Sequence, residues 1–153
     1  MRTIVLVMAL AAGGAACSSA PPPPPFKQVA DTKALMAHVI ERQAQIIWDA
    51  VGTIVTAEGT QEIRPANDED WVKVRAAAIN LTEAGNLLMM APRAQDGDRW
   101  MQNVQRMMTQ GERLIAAAER KNPQEVFDVG AELYEACVTC HTGYMPEIKD
   151  LYR

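Results

Sequence analysis

The sequence is poor in the residues that would assign it to a disulfide-rich or nucleic-acid-binding class. Its 153 residues include three cysteines, which are too few for a disulfide scaffold and leave at least one without a disulfide partner. Positive charge is not in excess, since 15 basic residues stand against 19 acidic ones, and this gives no electrostatic basis for binding nucleic acid. The 48% of hydrophobic and 22% of charged residues are ordinary for one compact domain and exclude a fully disordered or fibrous chain.

The sequence also lacks a hydrophobic run of the roughly 20 residues that a membrane-spanning helix needs. Residues 1–16 instead combine a basic start, a short apolar run and small residues, which is typical of a secretory signal peptide. Residues 14–17, GAAC, resemble the lipobox of bacterial lipoproteins, in which the chain is cut before the cysteine and that thiol is acylated. We therefore predict a signal peptide over residues 1–16 and a lipid anchor on Cys17. The alternative is an ordinary signal peptide, cut near Ala16 or Ala20, with an incidental cysteine.

Five consecutive prolines lie shortly after Cys17. A proline run adopts an extended, semi-rigid helix that rises about 3.1 Å per residue, so five prolines add roughly 15 Å. We interpret residues 17–30 as a lipid-anchored, proline-rich linker that holds the folded part away from a membrane. The expected location is the periplasmic side of a bacterial membrane. The outer membrane is favoured, because Ser18 rather than an aspartate follows the cysteine.

From Asp31 onward, apolar residues recur at steps of three and four, and this periodicity predicts an all-α fold. Four segments have the helical pattern: the first runs from Asp31 to about Ala57, the second ends before Pro92, and the third follows the turn at residues 96–98. We predict that Asn67 caps the second helix and that Asn122 caps the fourth, with Pro123 in its first turn. The buried stripe of the first segment includes Ile54 and Val55, and no segment shows the alternation of a half-buried strand. The pattern is typical of an antiparallel four-helix bundle over residues 31–145, followed by an irregular tail over residues 146–153.

Residues 137–141, CVTCH, form a C-x-x-C-H motif, which is the attachment signature of c-type haem. On a helix, Cys137, Cys140 and His141 stand at positions i, i+3 and i+4 and project from one face. Two thiols in this arrangement can form thioethers with the porphyrin edge while the imidazole binds the iron. The motif therefore predicts one covalent haem c on the last helix. The predicted export agrees with this, because c-type haem is attached outside the cytoplasm.

Other roles for the cysteine pair stay open from the residues alone. A redox dithiol is expected beside a strand–helix unit that the pattern does not show. A zinc site would need a fourth ligand, and the one other histidine is His38. A disulfide between Cys137 and Cys140 would leave His141 without a role. In the last two cases the chain would be a structural bundle without haem.

A four-helix bundle with C-x-x-C-H late in its last helix resembles the cytochrome c′ and cytochrome c-556 family, whereas other cytochromes c carry the motif near the N-terminus. The resemblance covers residues 31–145, and Tyr144 adds to it, because an aromatic residue is usual three positions after the histidine. It implies a monohaem cytochrome that exchanges single electrons with redox partner proteins and is not an enzyme. Homodimers formed through the first two helices are frequent in this family.

The resemblance also implies that the first helix supplies the residue on the distal side of the iron. A methionine there gives a six-coordinate electron carrier, whereas an aliphatic residue leaves a five-coordinate iron that binds NO or CO. The family often has Arg-Gln with the distal residue four positions after the arginine, and Arg42 then places Ile46 over the iron. We prefer Met36, because a thioether is a known iron ligand. Arg42 is also a candidate partner for a haem propionate, and His38 is expected on the polar face.

Overall fold

The computed structural model describes residues 26–145. The predicted signal peptide, the anchor at Cys17, the proline run and the tail over residues 146–153 lie outside these described residues. Within residues 26–145, none of the helices is long and apolar enough to cross a membrane. Helix α1 comes first and runs through three consecutive segments, Thr32–Leu35, Met36–Ile40 and Glu41–Asp49. Two strands follow, β1 (Gly52–Thr56) and β2 (Gly59–Ile63). The remaining elements are helices α2 (Asp68–Met89), α3 (Arg99–Glu119) and α4 (Pro123–Tyr144).

The starts of α2 and α4 follow from capping residues that the sequence predicted. The side chain of Asn67 accepts a hydrogen bond from the backbone N–H of Asp70 at 3.0 Å, and that of Asn122 accepts one from Glu125 at 3.2 Å. Each cap satisfies a donor that the first helical turn leaves without a partner. Pro123 occupies the first turn of α4, where a missing N–H costs no helical hydrogen bond.

The prediction that the first helix continues to about residue 57 is wrong. The helix α1 ends at Asp49, and β1 and β2 form an antiparallel hairpin in which Thr56 pairs with Gly59. Ile54 and Val55, which were predicted for the buried stripe, are 46% and 75% exposed. The fold is thus mostly helical, as predicted, but it contains a small sheet that the all-α prediction missed.

The physical reason for the hairpin is local. The sequence of β1 ends in TIVT, and β-branched residues favour extended backbone over helix. Gly59 has a φ of 143°, a conformation that residues with a side chain rarely adopt. A two-residue connection between β1 and β2 therefore forms where the spacing of apolar residues predicted the end of the first helix.

All four helices contribute to one hydrophobic core. The helix α3 packs against both α2 and α4, and α1 packs mainly against α2 with a smaller contact to α4. Four of the side chains with 0% exposure come one from each helix: Ile47, Leu81, Leu114 and Leu133. Burying a side chain of this size contributes roughly 1.5–3 kcal/mol relative to leaving it exposed. This packing is compatible with a helical bundle, and it surrounds the cavity described below.

The chain enters the domain beside the connection between α2 and α3. Arg93 in this connection is only 6% exposed, and its guanidinium donates to backbone carbonyl oxygens instead of a carboxylate. Nε and Nη2 donate to Ala30 at 3.1 and 2.9 Å, and Nη1 donates to Leu87 at 3.1 Å. A buried cation is stabilised when its donors are satisfied in this way. Arg93 therefore fixes the end of the linker region on the domain.

Candidate functional site

A largely apolar cavity of about 220 Å³ lies within the helical part of the molecule. All four helices line it: α1 contributes Met36 and Trp48, α2 contributes Leu88, α3 contributes Met107, and α4 contributes the residues of the C-x-x-C-H motif. Met107 and Trp48 both lie in the cavity wall. The cavity is therefore the place where the predicted chemistry would occur.

The motif forms one wall of this cavity. Cys137, Cys140 and His141 all line it, as their helical spacing predicted, whereas Thr139 between them is exposed. Both thiols are free in the structure. The three side chains thus border one space from a single helix face.

Burial controls the protonation of these side chains. Burial raises the pKa of the Cys137 thiol to about 11 and also raises that of Cys140, where the nearby Arg99 acts in the opposite direction. Burial lowers the pKa of His141, and the carboxylate of Glu41 partly opposes this. Near neutral pH the thiols therefore carry their protons and the imidazole is neutral, which is the form that binds a metal ion.

The helix α1 contributes a second wall with Met36, Ile40 and Ala44 at four-residue steps. The segment Met36–Ile40 is a π-helical turn, and such turns occur frequently at functional sites. A π-turn adds a residue to the local helical repeat, so it changes which side chains of α1 face the cavity. Met36 lines the same cavity as His141, which is necessary for the prediction that both bind one iron.

The alternative distal residue, Ile46, does not line the cavity and is 42% exposed. Its neighbour Ile47 is fully buried, and successive helical residues differ by about 100° around the axis, so the two side chains cannot share one environment. The placement of Ile46 over the iron is therefore not supported by this structure. Arg42 is exposed and is not part of the lining, so the cavity gives its predicted contact with a propionate no support. His38 is exposed, as expected for the polar face.

Trp48 connects two walls of the cavity. Its indole Nε1 donates to the carbonyl oxygen of Gly130 at 2.9 Å. Its ring meets the ring of Tyr134 edge to face, with the centroids 5.9 Å apart, a favourable geometry for aromatic pairs. Trp48 and Tyr134 both line the cavity, so this contact fixes α1 against α4 beside the motif.

A second cluster holds the last turn of α4 against the start of α3. The hydroxyl of Tyr144 donates to a carboxylate oxygen of Asp96, and the guanidinium carbon of Arg99 lies 4.9 Å from the centre of the tyrosine ring. The ring of Trp100, which is 3% exposed, meets Tyr144 edge to face at 5.0 Å. These contacts orient the helical turn that carries His141.

Two polar residues of the lining, Glu41 and Asn103, were not predicted as site residues from the sequence. Asn103 could have been found, because it falls three residues after Trp100 and four before Met107 on the buried stripe of α3. A polar residue at such a position is unusual and points to a local function. Glu41 is exposed, and its position in the sequence does not distinguish it from an ordinary surface residue of α1.

The residues of this cavity fit a c-type haem. The walls are apolar, two thiols stand at the attachment spacing, a neutral imidazole lies beside them, and α1 adds a thioether. In residues 26–145 there is no group of three or more His, Cys, Asp or Glu side chains arranged to hold a metal ion directly. Imidazole nitrogen and thioether sulfur, which His141 and Met36 supply to the lining, are both known ligands of haem iron.

Comparison with known proteins found no match to a protein-family model, a curated protein or a solved structure. The functional interpretation therefore rests on the C-x-x-C-H motif and the cavity.

Proposed function

We propose that this chain is an exported, lipid-anchored monohaem cytochrome c that transfers single electrons to and from redox partner proteins. Its folded part would be an antiparallel four-helix bundle with the haem attached to α4, as in the cytochrome c′ and cytochrome c-556 family. One observation carries the proposal: Cys137, Cys140 and His141 line the same apolar cavity to which α1 contributes Met36. We propose no enzymatic activity.

Each of these residues has a separate role in the proposal. A bound haem supplies one-electron chemistry through its iron. The thiols of Cys137 and Cys140 would hold the group, and His141 would bind its iron through the neutral ring. Met36 would supply a thioether to the same iron, and histidine together with methionine favours a high reduction potential. The apolar walls exclude water and disfavour the additional positive charge of the oxidised state, which acts in the same direction.

A second candidate function has its own support. Ile40 lines the cavity four residues after Met36 and therefore lies on the same side of α1. With Ile40 rather than Met36 next to the iron, the distal side would offer no ligand. The protein would then bind a small gas such as NO or CO. This alternative uses Ile40 and not Ile46, because Ile46 lies outside the cavity.

Optical spectra of the full chain, produced in a bacterium that attaches c-type haem, test both candidates. We expect a haem spectrum that stays with the protein after acid extraction, because thioethers resist this treatment. We also expect the reduced protein to bind CO slowly or not at all, because Met36 must first leave the iron. Rapid CO binding would favour the gas-binding protein. Loss of all haem on extraction would contradict the covalent attachment on which both functions rest, and absence of haem before extraction would leave a haem-free structural bundle.

The control for the spectra is a double variant, Cys137→Ala with Cys140→Ala. It removes both thioether bonds and leaves His141 and Met36 in place. Any haem that this variant carries should be lost on acid extraction. If the wild type and the double variant lose haem equally, the haem is not attached at these residues.

A further inference from the structure

Asn103 is the one buried polar residue of the cavity wall within residues 26–145. It is 8% exposed, and its carboxamide atoms keep some access to solvent, so they are not buried without a partner in the empty cavity. A cofactor in the cavity would remove this access, and native proteins rarely leave a buried amide without a hydrogen-bond partner. The side chain therefore points to a hydrogen-bonding group on the occupant of the cavity.

The position of Asn103 limits which part of a haem it can meet. Met36 and His141, the proposed axial ligands, come from α1 and α4, whereas Asn103 comes from α3. A flat group with α1 and α4 at its two faces would be tied at one edge to Cys137 and Cys140 and would turn other parts of its rim toward α2 and α3. From α2 this rim would meet the apolar side chain of Leu88, and from α3 it would meet Asn103. The polar substituents of a haem are the two carboxylates on its rim.

The charges near the cavity bear on this assignment. Glu41 on α1 carries a negative charge into the lining, and the lining residue from α2 is uncharged. Arg99 and Asp96 lie outside the lining and act on the pKa of Cys140 in opposite directions, so their charges partly offset each other. Asn103 lies on α3, one helical turn from Arg99 and on a different helix from Glu41, whose charge would repel a carboxylate.

We propose that the carboxamide of Asn103 donates a hydrogen bond to a carboxylate of the bound haem and so fixes the orientation of the group in the cavity. This inference rests on the proposed function. It assigns a binding role to a residue outside the C-x-x-C-H motif. The nitrogen Nδ2 of Asn103 is the donor, and the ionised carboxylate is the acceptor, which gives a charge-assisted bond that is stronger than one between neutral groups.

The test is the melting temperature of the haem-loaded Asn103→Leu variant. Leucine has nearly the shape of asparagine but cannot donate, so a partnered carboxylate would lose its donor. We expect the melting temperature to fall by about 4 °C or more. Gln102→Leu, at an exposed position of the same helix, is the matched control and should change it little. If Asn103 has no partner in the loaded protein, Asn103→Leu removes an unfavourable buried amide and raises the melting temperature, which would overturn the proposal.

Two further measurements identify the partner. Asn103→Asp places a negative charge against the carboxylate, so we expect a lower melting temperature and a lower reduction potential than in the wild type. If the partner were instead the ring N–H of His141, the aspartate would accept that hydrogen bond. The melting temperature and the reduction potential would then stay at their wild-type values, and the proposal would be wrong. In the Met36→Leu background, which we expect to bind CO, the C–O stretching frequency should not change on adding Asn103→Leu, since a change would place the amide at an iron ligand and not at a carboxylate. Absence of haem in the wild type would refute the proposed function before any variant is made.

Discussion

The indole Nε1 of Trp48 donates a hydrogen bond to the carbonyl oxygen of Gly130, which joins α1 to α4 next to the cysteine motif. A Cβ at position 130 would lie 3.4 Å from Cδ1 of the indole, which is an ordinary van der Waals distance, so the indole packs directly against the backbone of α4. The contact closes the cavity on the side of Tyr134. The two helices that carry the proposed axial ligands are therefore held together by a residue that binds neither haem nor iron in our account.

Replacing Trp48 by phenylalanine should weaken this connection. The variant loses one partly buried hydrogen bond, worth about 1 kcal/mol, and some packing in the cavity wall. We expect the free energy of unfolding to fall by about 1–3 kcal/mol in denaturant titrations. The control, Phe127→Leu, changes an exposed aromatic residue of α4 and should change the free energy of unfolding by less than about 0.5 kcal/mol. Equal losses in the two variants would contradict the assigned role of Trp48.

The close approach of α2 and α3 depends on Gly111. A Cβ at this position would clash with the hydroxyl group of Thr82, whose oxygen donates to the carbonyl of Ala78 at 2.8 Å. The Gly111→Ala substitution gains up to about 1 kcal/mol of helix propensity but overpacks the interface by about 1–3 kcal/mol. We expect a net loss of stability by calorimetry. Gly85→Ala should cost less, because the side chain it meets is the flexible Met108. A stabilised Gly111→Ala protein would show that the helices are further apart.

The hydrogen bond between Tyr144 and Asp96 predicts a pH dependence of stability. The tyrosine hydroxyl lowers the pKa of Asp96 below its ordinary 3.8, so this stabilisation exists above about pH 4 and is lost as the pH falls through the lowered pKa. Burial and the same bond raise the pKa of Tyr144 above 10.0, so that contribution exists below pH 10 and is lost as the pH rises through the raised value. The difference in stability between wild type and Tyr144→Phe should be largest between these limits. Urea titrations at pH 3, 7 and 11 would measure it, and a difference independent of pH would contradict the assignment.

The second axial ligand can be tested with Met36→Leu, which keeps the volume of the side chain but removes the thioether sulfur. We expect the reduced variant to bind CO rapidly and its reduction potential to fall, because methionine ligation favours the reduced iron. Ile46→Ala is the matched control, since this side chain is exposed on the same helix and should change neither quantity. CO binding that is rapid in the wild type and unchanged in Met36→Leu would show that Met36 is not a ligand.

The predicted lipid anchor has its own test, because Cys17 lies outside the described residues. Cys17→Ser should convert a membrane-bound protein into one recovered in the soluble periplasmic fraction, without changing its haem spectrum. An unchanged membrane fraction for this variant would favour attachment by some other means.

The helix ends and the motif could be predicted from the sequence because they depend on local chemistry. Asn67 and Asn122 cap their helices with side-chain oxygen atoms, and such caps need no information from the rest of the fold. The spacing of Cys137, Cys140 and His141 likewise determines that they share a helix face. These predictions required no knowledge of packing.

The hairpin and the choice between Met36 and Ile46 depend on more than local pattern. The residues of β1 fit a helical stripe when only their spacing is counted, and the β-branched run was the opposing signal that the spacing argument did not weigh. The π-turn at Met36–Ile40 changes the register of α1, and no residue type in the sequence announces it. Asn103 shares a helix face with Trp100 and Met107 but was not predicted, and its proposed role could be inferred only once the cavity was known.

The mass of the peptide that contains Cys137 and Cys140 tests the central claim most directly. The full chain would be produced in a bacterium that attaches c-type haem, digested and analysed by mass spectrometry. We predict one peptide heavier by the mass of a single haem, with both cysteines protected from alkylation. A peptide of unmodified mass with two alkylated thiols, or with a disulfide between them, would contradict the claim that this chain is a cytochrome c.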